Sequence, residues 1–154
     1  QLVYKEVMIK AIFDAVCDNF RDDIHRKGIR TSAEVNLQSP FASYPAMIRI
    51  IIENLVENAI QFSGTDRPFI RLKAAQSGNY VTIDVQDNGQ GIGREYHDQV
   101  FDMYFRGNER SKGNGLGLYI VKKAVEKLNG SISFSSIPLV GSTFTIMLPS
   151  SLGG

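Results

Sequence analysis

The sequence predicts an α+β fold: a two-layer sandwich with a mixed sheet of about five strands and three main helices on one face. Three observations carry this. Apolar residues recur at helical spacing in three separate segments. Runs of strand character fall between and after them. The resulting order is helix, strand, helix, two strands, loop, helix, two strands.

Each element has its own signal. Ile9, Phe13, Val16, Phe20 and Ile24 keep one helical phase, predicting an amphipathic helix that stops near Gly28. Residues 29–37 alternate loosely and read as a strand. Ser39 and Pro40 break the pattern, and Pro45 suits the first turn of a second helix running to about Phe62. Its apolar stripe is Ile48, Ile51, Ile52, Leu55, Ala59 and Phe62. A hairpin follows, with Ile70, Leu72 and Ala74 on one strand and Val81, Ile83 and Val85 on the other. Ser77, Gly78 and Asn79 supply its turn. A glycine-rich loop spans 87–93, and a short helix runs to about Val100. Residues 102–114 are polar, lack a period and read as a mobile loop. The third helix occupies 115–128, stopped by Asn129-Gly130. Strands around 132–134 and 143–148 close the fold. The whole of 1–150 reads as one domain, with 151–154 as a tail.

Composition narrows the class. The 154 residues are 43% apolar and 21% charged, enough for one soluble domain with a real core. The net charge is +1 and the basic residues are scattered, which argues against a nucleic-acid partner. The single cysteine, Cys17, fits a reducing, cytoplasmic compartment. No apolar run reaches the length of a membrane span. The abrupt opening in helical pattern reads as a piece of a longer parent, one that a membrane anchor elsewhere could hold.

Four constellations have the chemistry of a binding site. Asn54, Asn58 and Gln61 share one face of the second helix, at i, i+4 and i+7. An amide oxygen is a hard, neutral ligand suited to Mg²⁺ already held by phosphates; a solvated helix face explains the same residues. Asp87-Asn88-Gly89-Gln90-Gly91-Ile92-Gly93 follows directly on a strand. A carboxylate there accepts an exocyclic amine, and glycines admit a planar base; a capped strand-to-helix loop is the plainer account. Gly113, Asn114, Gly115, Leu116, Gly117 and Leu118 open the third helix, where free N–H groups favour phosphate, with Arg106, Arg110 and Lys112 just upstream. Phe101 and Phe105 cover a base or simply pack the loop. Neither the dinucleotide fingerprint nor a Walker A loop is present.

In this order and spacing the motifs resemble the GHKL superfamily of gyrase, heat-shock chaperone, histidine kinase and mismatch-repair ATPases. NLVENAIQF (54–62) resembles the N box, DNGQGIG (87–93) the G1 box and VFDMYFRG (100–107) the F box. GNGLGLYIVKKAVEKLNG (113–130) resembles the G2 box and its helix, and GSTFTIMLP (141–149) the closing strand. The resemblance implies the Bergerat sandwich and a set of roles. Asn58 matches the Mg²⁺ ligand, and Asp87 the reader of the adenine amine with Thr143 nearby through a water. Gly89, Gly91 and Ile92 lie beside the base, and Phe62 lines the nucleotide. Arg106 reaches the phosphates, with Asn54 and Gln61 in the same pocket. Gly113, Gly115, Leu116, Gly117 and Leu118 form the phosphate-contacting turn, and 102–114 the ATP lid.

Hydrolysing members and serine kinases of this fold carry a glutamate four residues before the Mg²⁺ asparagine. Asn54 stands there, and a carboxamide is no base near neutral pH. The resemblance therefore points to the sensor histidine kinases, with ATP and Mg²⁺ as cofactors. The acceptor histidine would sit on a separate dimerisation domain of a homodimeric parent, and a response regulator would act downstream. His25 is followed by Arg26 and Lys27 and not by an acidic residue, and His97, although Asp98 follows it, falls between the G1 and F boxes; both read as structural or surface residues. A GHKL ATPase, a serine kinase and a non-catalytic nucleotide module are the rival readings. Gln61 replaces the lysine many relatives place on phosphate.

Overall fold

The computed structural model describes residues 2–103 and 115–151. The elements run β1 (Lys5–Glu6), α1 (Ile9–Asn19), α2 (Arg21–Arg26), β2 (Arg30–Asn36), β3 (Ala42–Ser43), α3 (Pro45–Gln61), β4 (Phe69–Ser77) and β5 (Tyr80–Asp87). A 3-10 helix (Arg94–Gln99), α4 (Gly117–Lys127), β6 (Ser131–Ile137) and β7 (Gly141–Pro149) complete it. The main sheet has five strands in the order β2-β4-β5-β7-β6. Only β2 and β4 pair in parallel, as expected where α3 crosses between them. The mixed sheet and the single helical layer agree with the sequence reading.

Burial shows how the layers meet. Ile70, Leu72 and Ala74 of β4, Val81, Ile83 and Val85 of β5, and Phe144, Ile146 and Leu148 of β7 are all buried, in strict alternation. Against them packs α3, whose Ile48, Ile51, Ile52, Leu55, Val56 and Ala59 are almost wholly inaccessible. Burying each such side chain is worth roughly 1.5–3 kcal/mol. Two helices flank α3: Phe13 and Val16 of α1 and Val121 and Val125 of α4 enter the same core. Pro45 occupies the first turn of α3, where its missing N–H costs nothing. The C-terminal end is tied by Lys27 Nζ and Ser63 Oγ, which donate to the Ile60 carbonyl at 3.0 and 2.7 Å.

Three features differ from expectation. The first helix is two, α1 and α2, joined at Phe20 with φ −101° and ψ 15°. The apolar phase passes straight through that junction, so periodicity did not reveal it. The short helix before Val100 is of the 3-10 type. A ribbon of β1 and β3, with Lys5 opposite Ser43 and Glu6 opposite Ala42, gave no sequence signal because each strand has two residues. Among the described residues no helix is long and apolar enough to cross a membrane.

Candidate nucleotide site

The site is built around α3, which touches one loop at its C-terminal end and the start of α4 midway along its length. At its C-terminal end the Phe62 carbonyl accepts the Gln90 N–H at 2.8 Å. Gly89 lies so close to that carbonyl that a β-carbon would overlap its oxygen. Midway along α3, Asn54 meets the start of α4: a β-carbon on Gly117 would stand 3.3 Å from Asn54 Oδ1. Asn54 and Phe62 are eight residues apart, roughly 12 Å at the rise of an α-helix. One rigid element thus joins the Asp87 loop to the glycine turn before α4, with Asn58 between them.

Asp87 is 4% exposed and closes the in-phase series Val81, Ile83, Val85. Its Oδ1 accepts the Gly89 N–H at 2.9 Å. Burial pushes its pKa up to about 6, and the backbone N–H groups of Gly89 and Ser142 hold it from rising further. Above that pH the group is a carboxylate with acceptor capacity and no donor. Asn88 anchors the loop beside it, its Oδ1 accepting the Phe69 N–H at 2.8 Å and its amide donating to the Arg67 carbonyl at 3.1 Å. On the other side the β6–β7 turn braces the loop. Leu139 N–H donates to the Gln90 carbonyl at 2.7 Å, and Ile92 N–H to Ser136 Oγ at 2.6 Å. Gly91, at φ +71°, leaves no room for a β-carbon against Ile137 and Pro138.

The start of α4 is simpler. It carries no side-chain cap hydrogen bond. Leu118 is buried and fixes that turn, while Gly115, Leu116 and Gly117 are half-buried. Asn54 donates one amide N–H to the Ile50 carbonyl at 2.8 Å. Asn58 and Gln61 are half-buried on the same helix, and Phe62 is buried. Among the described residues no cluster of His, Cys, Asp or Glu could hold a metal ion by itself. The neutral Asn58 amide suits a cation that arrives already bound to phosphates. Arg106, Gly113, Phe105 and most of the 102–114 loop lie outside the described residues.

Thr143 lines one cavity with Asp87, Gln86 and Ser142. It sits opposite Gln86 in β5 and Ser135 in β6, on the face of the sheet that carries no helices. Ser142, 6% exposed, pairs with Asp87 and points into the helical layer. Ser136 was also missed in the sequence. A signal existed for it: after Ile132 and Phe134, the next in-phase position of β6 is polar. His97 proves structural, its Nε2 2.9 Å from the Ile92 carbonyl and its ring edge-on to Phe134.

Placing a methyl group at Gly89 tests the packing. Gly89→Ala must push the loop off Phe62 and break the Gln90 bond. A loss of about 1–3 kcal/mol in urea unfolding is expected, and an unchanged midpoint would contradict the packing described.

Comparison with known proteins places this architecture. Residues 44–152 match the family model described as histidine kinase-, DNA gyrase B- and HSP90-like ATPase, and the chain belongs to that family. Within it the chain is homologous to sensor histidine kinases. It is 32% identical over 151 residues to the sensor histidine kinase RcsC of Escherichia coli K12, covering 94% of this chain and 16% of that protein. The chain therefore spans about a sixth of that relative. The catalytic domain of histidine kinase ThkA superposes with a TM-score of 0.80 at 22% identity, covering 97% of this chain and 99% of that one. Full-length ShkA in complex with AMPPNP gives 0.84 at 22% identity, covering 100% of this chain and 32% of that one.

Proposed function

We propose that residues 1–150 form the ATP-binding catalytic domain of a sensor histidine kinase, which transfers the γ-phosphoryl group of MgATP to a histidine on a separate dimerisation domain. The observation that carries this reading is α3 itself, which links a buried carboxylate loop to an uncapped helix start with an amide between. Asp87 would accept the adenine amine. The backbone N–H groups at the start of α4 would hold the phosphates, with Arg106 adding charge. Asn58 would hold Mg²⁺, which supplies charge neutralisation on the phosphate oxygens. Asn54 is no base, so deprotonation of the acceptor must come from the partner domain.

The work of this chain is then to position ATP and leave its γ-phosphate open to attack. The kinship to sensor histidine kinases and the likeness to ShkA with AMPPNP support the choice of ligand. A homodimeric parent, a downstream response regulator and a cytoplasmic location for this domain follow from the same reading.

The test has two parts. Calorimetry with MgATP should show one-site binding. Mixing the chain with MgATP and a separate histidine-bearing helical domain should label that histidine. Steady ATP hydrolysis by the chain alone would favour the ATPase reading, and absence of nucleotide binding would remove both.

A further inference from the structure

We propose that Ser136 is a positioning residue for base recognition: it orients the Ser142 hydroxyl so that Asp87 and Ser142 present an acceptor beside a donor. The inference rests on the nucleotide-binding reading above and adds a positioning residue to it. It begins with the hydrogen bonds of a single hydroxyl. Ser136 Oγ accepts the Ile92 N–H at 2.6 Å. Its own proton faces two oxygens, Ser142 Oγ at 2.8 Å and the Gly141 carbonyl at 3.3 Å. Either hydroxyl could donate across the 2.8 Å contact; in the proposed arrangement Ser136 does, because that contact has the ordinary length of a strong O–H···O bond and the carbonyl lies farther away.

The consequence falls on Ser142. A serine hydroxyl carries one donor and two acceptor sites. With an acceptor site filled by Ser136, the Ser142 proton is free to donate elsewhere. Toward Asp87 it is the Ser142 backbone N–H that helps hold the carboxyl pKa down. Asp87 and Ser142 are directly paired across β5 and β7, with their side chains on one face and their β-carbons about 4.5–5.5 Å apart. Together they offer a carboxylate acceptor next to a hydroxyl donor. That order complements adenine, whose edge sets an amine donor beside a ring-nitrogen acceptor. Guanine, with a carbonyl oxygen in place of the amine, meets the carboxylate with an acceptor. Ser136 also ties this pair to the loop through Ile92, so base recognition and loop position are set by the same hydroxyl.

The experiment measures Mg-nucleotide affinity of the full chain for ATP and for GTP. The unaltered chain should prefer ATP. Ser136→Ala should weaken ATP by about tenfold, the scale of one lost buried hydrogen bond, and change GTP by less than about twofold. In a Ser142→Ala background the same substitution should leave the ATP-to-GTP ratio within about twofold, because its target is gone. Thermal unfolding checks that each variant is folded. If Ser136→Ala is not, Ser136→Cys keeps the volume with a weaker donor and reads the same ratio. Parallel weakening of both nucleotides, an unchanged ratio, or an undiminished effect in the Ser142→Ala background each overturns the role of Ser136. A parent chain that binds neither nucleotide overturns the functional reading as well.

Discussion

Asp87→Asn is expected to weaken ATP binding by about 10²-fold while stabilising the empty domain at pH 7.5. The first effect follows from donor and acceptor count. The carboxylate only accepts, whereas an asparagine can turn its NH₂ toward the adenine amine and oppose donor to donor. Loss of a hydrogen bond to a charged group costs about 1.5–3 kcal/mol, and about 2.8 kcal/mol corresponds to 10² in affinity. The second effect follows from proton linkage. Burial raises the Asp87 pKa from an ordinary 3.8 to about 6 in the folded chain. The folded state therefore holds the proton more tightly than the unfolded chain. The associated stability is complete below about pH 4 and is lost as pH rises through 6. A rise of this size corresponds to about 3 kcal/mol at neutral pH. An asparagine does not titrate and escapes that cost. Urea unfolding of both proteins at pH 4 and 7.5 checks the prediction. The gain in stability should appear at the higher pH and vanish at the lower. A parent whose stability is flat between these two values would refute it.

Asn58→Ala should separate binding of the metal from folding. Asn58 is half-buried and makes no side-chain hydrogen bond with the described residues. Its removal should shift stability by no more than about 0.5 kcal/mol. Phosphoryl transfer to an added histidine domain should fall by about 10²–10³-fold, the usual effect of losing one group that stabilises developing charge. Affinity for ATP in excess chelator should hardly change, while affinity in the presence of Mg²⁺ should drop toward that value. If the two affinities fall together, Asn58 acts on the nucleotide directly and the metal assignment fails.

Much of this site could be read from the chain because its parts are local. Pro45, the apolar period of α3 and the turn after Ser77 each act over a few residues. Asp87 and its glycines form one contiguous loop. What escaped depends on relations between segments. The junction at Phe20 hides because Val16, Phe20 and Ile24 stay in phase across it. Thr143 and Ser142 are adjacent, both small and both hydroxylic, yet a step of one residue along a strand changes the face of the sheet. Nothing in GSTFT states which of them turns inward until the register with β5 is known. Ser136 lies in a serine-rich strand, where only its phase with Ile132 and Phe134 marks it. Residues 104–114, with Arg106 among them, have only their sequence to speak for them.

The span of α3 from Asn54 to Phe62 has a further meaning. In the proposed reading, hydrogen-bonded helix, not loop, sets the separation between the place for a base and the place for the last phosphates, so that length cannot stretch or shrink to suit its guest. The helix works as a ruler. A binding site gauged this way sorts ligands by the extent of their phosphate chain as well as by their chemistry. Changes of preference must then come from side chains along the ruler's edge, because adding or deleting a residue would swing Asn58 by about 100° and point it away from the cleft.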